Sequence, residues 1–312
     1  MHPALSVILF TVASGAGYGS LALFGLLVAC GWVTRAHAPG LTVLALGLGL
    51  VTAGLLSSTF HLGHPERAWR ALSQWRSSWL SREGVAATAS YVPALLFALS
   101  LALDGGASTT LFALATLVMA LITVGCTAMI YRSLKPVHQW HNGFVLPVYL
   151  AFSAATGALW VNAALLFRGA DARAAAAAGL LALATVAALK LGYWRFIDTT
   201  AGPATAGSAT GLGPLGRVRL FEAPHSGSNY LLREMGFIVA RKHALKLRRI
   251  VLAIGLAAPF ALSGLTLATG AAAPALALLA ALLATFGALV ERWLFFAEAK
   301  HSVTLYYGAE RA

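Results

Sequence analysis

Charge is what this sequence has least of. Only 10% of its 312 residues are Asp, Glu, Lys or Arg, against about 25% in an ordinary soluble domain. Acids are scarcer still, ten against 22 Lys and Arg. No acid falls at the centre of an apolar run, and a pathway for protons or ions across a membrane usually needs ionisable groups at depth. That argues against an ion pump or a proton-coupled transporter. Lys190 and Glu291 are the deepest charged positions, each near one end of its run. Cysteine is nearly absent. Cys30 and Cys126 stand far apart with no C-x-x-C, which excludes a disulfide scaffold, zinc-type spacing and the ligand runs of iron–sulfur clusters. None of the nine histidines lies inside an apolar run, where a membrane haem takes its axial ligands. The chain is expected to carry no haem, no iron–sulfur cluster and no metal.

What is present is apolar. Hydrophobic residues make up 59% of the chain, and the mean hydropathy is +0.78. Eight charge-poor runs are long enough to span a bilayer, at roughly 5–30, 41–60, 84–103, 108–130, 144–167, 174–195, 249–270 and 272–297. Lipid offers no partner to backbone N–H and C=O groups, so these runs are expected to be helices. The short period-2 strands of an outer-membrane barrel are missing. The expected fold is an all-α integral membrane protein, one polytopic domain over 1–312, whose eight helices permit two four-helix bundles. The first run opens "MHPALSV", without Lys or Arg, and is expected to be a retained helix rather than a signal peptide.

Most Lys and Arg fall in the connections near 61–83, 131–143 and 195–249 and in the tail. The positive-inside rule then places these loops and both termini in the cytoplasm, at a bacterial cytoplasmic (inner) membrane. A basic face also attracts an acidic protein partner, so the expected partners are protein and lipid, not nucleic acid. The other side has short turns, "DGGA" at 104–107 and a Gly/Ala turn near 270–273, which impose antiparallel hairpins. The long loop 196–248 opens as the linker "TTAGPATAGSATGLGPLG". It continues as "NYLLREMGFIVARKHALKLRR", apolar and basic at helical spacing. That pattern fits an interfacial helix or a plain extension of the seventh helix with snorkelling basic side chains.

The chemistry gathers at one membrane end. "STFHLGHPERAWRAL" spans Ser58 to Leu72. His61 ends the second run and Glu83 opens the third. Imidazole titrates near neutral pH, and a carboxylate can orient it or pass its proton on. Trp69, Trp75 and Trp79 set amphipathic rings at headgroup level. A pocket apolar inside and protic at its rim suits a lipid-soluble quinol, which loses protons when oxidised. Blander readings account for the same residues. Ser81 can cap the third helix with Glu83 in its first turn, His64-Pro65 can simply break a helix, and "KPVHQWHN" at 135–142 can be a wet loop. Taken alone, the residues define a polytopic membrane protein with one reactive face and no named substrate. A pure tether and a small-solute transporter stay open.

Four motifs in order along the chain, "STFHLGHPERAWRAL" with "SSWLSREG", "CTAMIYRSLKPVHQWHN", "NYLLREMGFIVARKHA" and "ERWLFFAEAKHSVTLYYG", together resemble the membrane anchor subunits of dimethyl sulfoxide reductases. The resemblance implies an eight-helix anchor without haem that oxidises menaquinol in anaerobic respiration. Its electrons would pass to a four-cluster iron–sulfur subunit and on to a molybdopterin catalytic subunit. His61 matches the family's quinol-site histidine and Glu83 its acid. His64, Arg67, Trp69 and Arg82 join the candidate quinol site by proximity. Lys135, His138, Arg241 and Lys242 are the candidate docking residues for the partner subunits.

Overall fold

The computed structural model describes residues 5–33, 37–60, 64–104, 106–222, 241–269 and 273–309. The described chain contains eight helices long and apolar enough to cross a membrane. They are α1 (Leu5–Ala29), α2 (His37–Thr59), α3 (Trp79–Ala102), α4 (Ala107–Arg132), α5 (Val145–Phe167), α6 (Arg173–Thr199), α7 (Ala244–Thr269) and α8 (Pro274–Ala297). At about 1.5 Å per residue each exceeds the roughly 30 Å of a bilayer's hydrocarbon core. The fold is that of an all-α, multi-pass membrane protein.

At the start of α3 a side-chain cap, not hydropathy, sets the end of the helix. α3 starts at Trp79, where the Ser78 side chain accepts from Ser81 N at 3.5 Å. Ser81 is therefore inside the helix, and its Oγ accepts from Gln74 N at 3.2 Å. This corrects the expected cap at Ser81. Glu83 sits beyond the first turn, which holds no acid, so the helix dipole does not explain it. Before α3, Pro65–Gln74 forms a 3₁₀ stretch with Pro at its start. Leu72 lies over Gly84, where an added Cβ would stand 2.8 Å from Leu72 Cδ2.

α1 and α5 are the most buried spans and pack on each other. α1 also meets α2 and α4, and α5 meets α6 and α8. The α1–α5 seam has no room for side chains at Gly19 and Gly157. An added Cβ at Gly157 would run into the Gly19–Ser20 backbone, and one at Gly19 into the Ser153 carbonyl. Small residues let membrane helices approach until backbones touch, where dispersion replaces the hydrophobic drive that lipid cannot supply. Ser20 and Ser153 join the seam, the latter donating to the Gly15 carbonyl at 2.6 Å. Gly157→Leu is expected to part the seam at a cost of about 3 kcal/mol or more, visible as a lower thermal midpoint in detergent. An unchanged midpoint would remove this seam from the account of stability.

α7 opens as an α-helix and passes through a π-helical turn at Val251–Ala257. Gly255 of that turn meets Gly287 of α8 with no space for a Cβ on either. Within loop 196–248, a short helix Ala206–Thr210 is held by a capping box of Thr205 and Ser208. The expected interfacial helix falls mostly in 229–240, outside the described residues, and a turn at His243 separates its last described residues from α7. Loop 133–144 is not a loose wet connection. Trp140 Nε1 donates to the Phe295 carbonyl at 3.1 Å, Tyr193 Oη to the Gln139 carbonyl at 3.1 Å, and Ser302 N to the Pro136 carbonyl at 2.9 Å.

Candidate functional site

Five residues into α3, the Glu83 carboxyl is 4% exposed. Its hydrogen-bond partner is the Thr127 hydroxyl of α4, which donates to Oε1. Among the described residues no cation pairs with Glu83. A carboxyl inside a spanning segment is expensive to bury and is normally retained for a task. The local sequence explains its placement. Ser81 and Glu83 turn inward while Arg82 turns outward, where its guanidinium donates to the carbonyls of Trp75 at 2.9 Å and Arg76 at 2.7 Å and lies 4.2 Å from the Trp79 ring centre. Arg82 thereby ties the end of the 3₁₀ stretch to α3.

The other candidates of this region are exposed or half-buried. His64 Nδ1 is 3.1 Å from Glu66 Oε1, and Arg67 is 3.7 Å from the same oxygen, all of them exposed. Trp69 is 67% exposed, with Arg70 5.6 Å from its ring centre. Among the described residues none of His64, Arg67, Trp69 or Arg82 is bonded to Glu83. His61 lies outside the described residues.

Of the candidate docking residues, Lys135 and Lys242 are exposed. His138 Nε2 is 3.0 Å from Thr200 Oγ1. Arg241 Nε donates to the Ala297 carbonyl at 2.8 Å and Nη2 to the Ala299 carbonyl at 2.7 Å. A guanidinium on carbonyls at the end of α8 suits the negative end of a helix dipole. Nearby, His301 Nδ1 accepts from Val303 N at 3.0 Å, and burial pushes the imidazole pKa down, which favours the neutral, accepting ring.

A second buried cluster was not anticipated from sequence. Lys190 of α6 donates to Glu291 Oε1 of α8 at 2.6 Å. Arg292 Nε donates to Glu291 Oε2 at 2.5 Å. All three side chains are at most 4% exposed. Aromatic rings enclose the cations. Lys190 Nζ is 4.0 Å from the Tyr193 ring centre, and the Arg292 guanidinium is 4.0 Å from that of Tyr149. The signal was available. A Lys in the sixth run and a Glu-Arg pair in the eighth each demand a partner in lipid, and each is the other's cheapest one.

Together these features define a multi-pass helical membrane protein with a buried carboxyl, Glu83, that no described cation pairs, and no described group of three His, Cys, Asp or Glu placed to hold a metal. Residues 1–209 match the family described as DMSO reductase anchor subunit (DmsC). The chain is 33% identical to a sulfite dehydrogenase subunit of Allochromatium vinosum over 335 aligned positions, which cover 98% of this chain and 99% of that one. The chain belongs to the DMSO reductase anchor subunit family, and so is the membrane anchor of a molybdoenzyme-type oxidoreductase complex.

Proposed function

We propose that this anchor exchanges electrons and protons with a membrane quinol at the α2–α3 end, in the direction of menaquinol oxidation. Quinol oxidation releases two protons and two electrons. The electrons go to a partner subunit, since among the described residues no group of three His, Cys, Asp or Glu is placed to hold a metal, and the expected recipient is a four-cluster iron–sulfur subunit bound to a molybdopterin subunit. The protons need acceptors within hydrogen-bond reach. His61 is assigned to take the first from the quinol hydroxyl, and Glu83 to orient His61 or relay the proton.

The observation that carries this reading is the Glu83 carboxyl, buried in a spanning helix with a hydroxyl and, among the described residues, no cation paired with it. A structural carboxyl is expected to be paired, as Glu291 is with Lys190 and Arg292. A second reading reverses the direction. A full-length relative is part of a sulfite dehydrogenase, and an enzyme that oxidises its substrate would send electrons to quinone, with Glu83 delivering protons instead.

One experiment separates the readings. The assembled complex in nanodiscs is given a reduced menaquinol analogue with an S-oxide, or the oxidised analogue with sulfite. Turnover in the first arm supports quinol oxidation, and turnover in the second alone supports the reverse. Turnover in neither, with dye-linked activity of the partners intact, would leave a tether without a quinol site.

A further inference from the structure

Between Glu83 and the Lys190–Glu291–Arg292 cluster lies a small cavity of about 30 Å³, at the meeting of α1, α4, α5 and α8. Its wall includes Thr127, whose hydroxyl donates to Glu83, and Arg292, which is paired with Glu291. Tyr149 lies beside it too, under the Arg292 guanidinium. Two buried donors here are left unsatisfied by hydrogen-bond geometry, the Tyr149 O–H and Arg292 Nη1, although the Tyr149 oxygen lies close to the Arg292 guanidinium. Tyr149 is 6% exposed and Arg292 4%. Elsewhere on the wall, the Ser14 and Thr156 hydroxyls donate to their own helix carbonyls, Phe10 at 2.6 Å and Phe152 at 2.7 Å. Their oxygens therefore keep lone pairs that can only accept.

Buried polar groups in proteins are almost always satisfied, by protein or by ordered water. A buried water needs two to four polar partners and roughly 10–15 Å³ of such space, so this cavity has room for about two. Unsatisfied donors and committed hydroxyls supply those partners. An empty cavity, by contrast, is expected to be apolar.

We propose that this cavity is a water site, and that its water joins the Glu83 carboxyl, through Thr127, to Arg292, Glu291 and Lys190 as one hydrogen-bonded line from α3 to α6. The line lies across the bundle, not along it. It gives Glu83 a contact with a buried cationic cluster that no direct bond provides. A proton leaving or reaching Glu83 then reorients the water and is felt at Arg292. The water site stands whether or not a quinol is the reactant.

The test is X-ray radiolytic footprinting of the assembled complex in lipid nanodiscs. Radiolysis of bound water oxidises the side chains that touch it. Tyr149, 6% exposed, should label at least about fivefold faster than Tyr193, a tyrosine buried to 1% that bonds to the Gln139 carbonyl and lies off the cavity. Equal, low labelling of the two would overturn the water site. Ala288→Leu, at the cavity wall, should bring Tyr149 down to the Tyr193 rate while exposed Trp69 labels as before. Should that variant fail to assemble, the wild-type ratio decides alone. The line itself is read by infrared spectroscopy, with the Glu83 bands assigned by subtracting Glu83→Gln. Ala288→Val, a smaller intrusion, should shift those bands. A labelled Tyr149 with unmoved Glu83 bands would overturn the connection and keep only the water.

Discussion

Glu83→Gln is expected to lower quinol-dependent turnover about 100-fold, the usual worth of a positioned acid–base group, with dye-linked activity of the partner subunits unchanged. Glutamine keeps the size of the side chain and still accepts from the Thr127 hydroxyl through its amide oxygen, so packing and assembly should survive. What it loses is the ability to bind and release a proton. Parallel loss of both activities would point instead to failed assembly, and quinol turnover within about threefold of wild type would remove Glu83 from proton transfer. Thr127→Val gives a milder comparison, because it deletes the hydroxyl and leaves the carboxyl.

Removing Glu291 should have the largest effect on stability. Lys190 and Arg292 share this one carboxylate. Glu291→Ala leaves two cations buried without a counter-charge, and breaking a buried pair costs about 3–5 kcal/mol. Loss of monodisperse protein in detergent, or a fall of many degrees in the thermal midpoint, is expected. Replacing Lys190 and Glu291 together with Met and Gln should be far gentler, since only the Arg292 charge is then left to satisfy. If Glu291→Ala were as stable as wild type, the cluster would not be a structural pin between α6 and α8. Aromatic rings around Lys190 and Arg292 would then be screening the cations by themselves.

The helix count was legible because lipid makes it so. Eight apolar runs in sequence became eight helices, with ends displaced where Ser78 caps α3 and where α7 begins at Ala244. Glu83 was legible as the acid opening the third run, but its depth was not, since Arg82 next to it faces the opposite way. The Lys190–Glu291 pair is separated by 101 positions, and hydropathy cannot say which faces of α6 and α8 meet. Residues 135–142 left a wet loop open as a reading because several of them are polar. In the fold Gln139 and Trp140 bind the end of α8, a contact that only tertiary packing creates. The water-sized cavity was beyond any pattern, because its wall is assembled from helices far apart in the chain.

The most direct test of the central claim is the binding of a fluorescent menaquinol analogue to membranes bearing this anchor, for wild type, His61→Ala and Glu83→Gln. Saturable quenching in wild type that disappears in His61→Ala, and persists at altered affinity in Glu83→Gln, is the predicted result. Equal quenching in all three would contradict a quinol site at the α2–α3 end and direct attention to His138, His141 and His301.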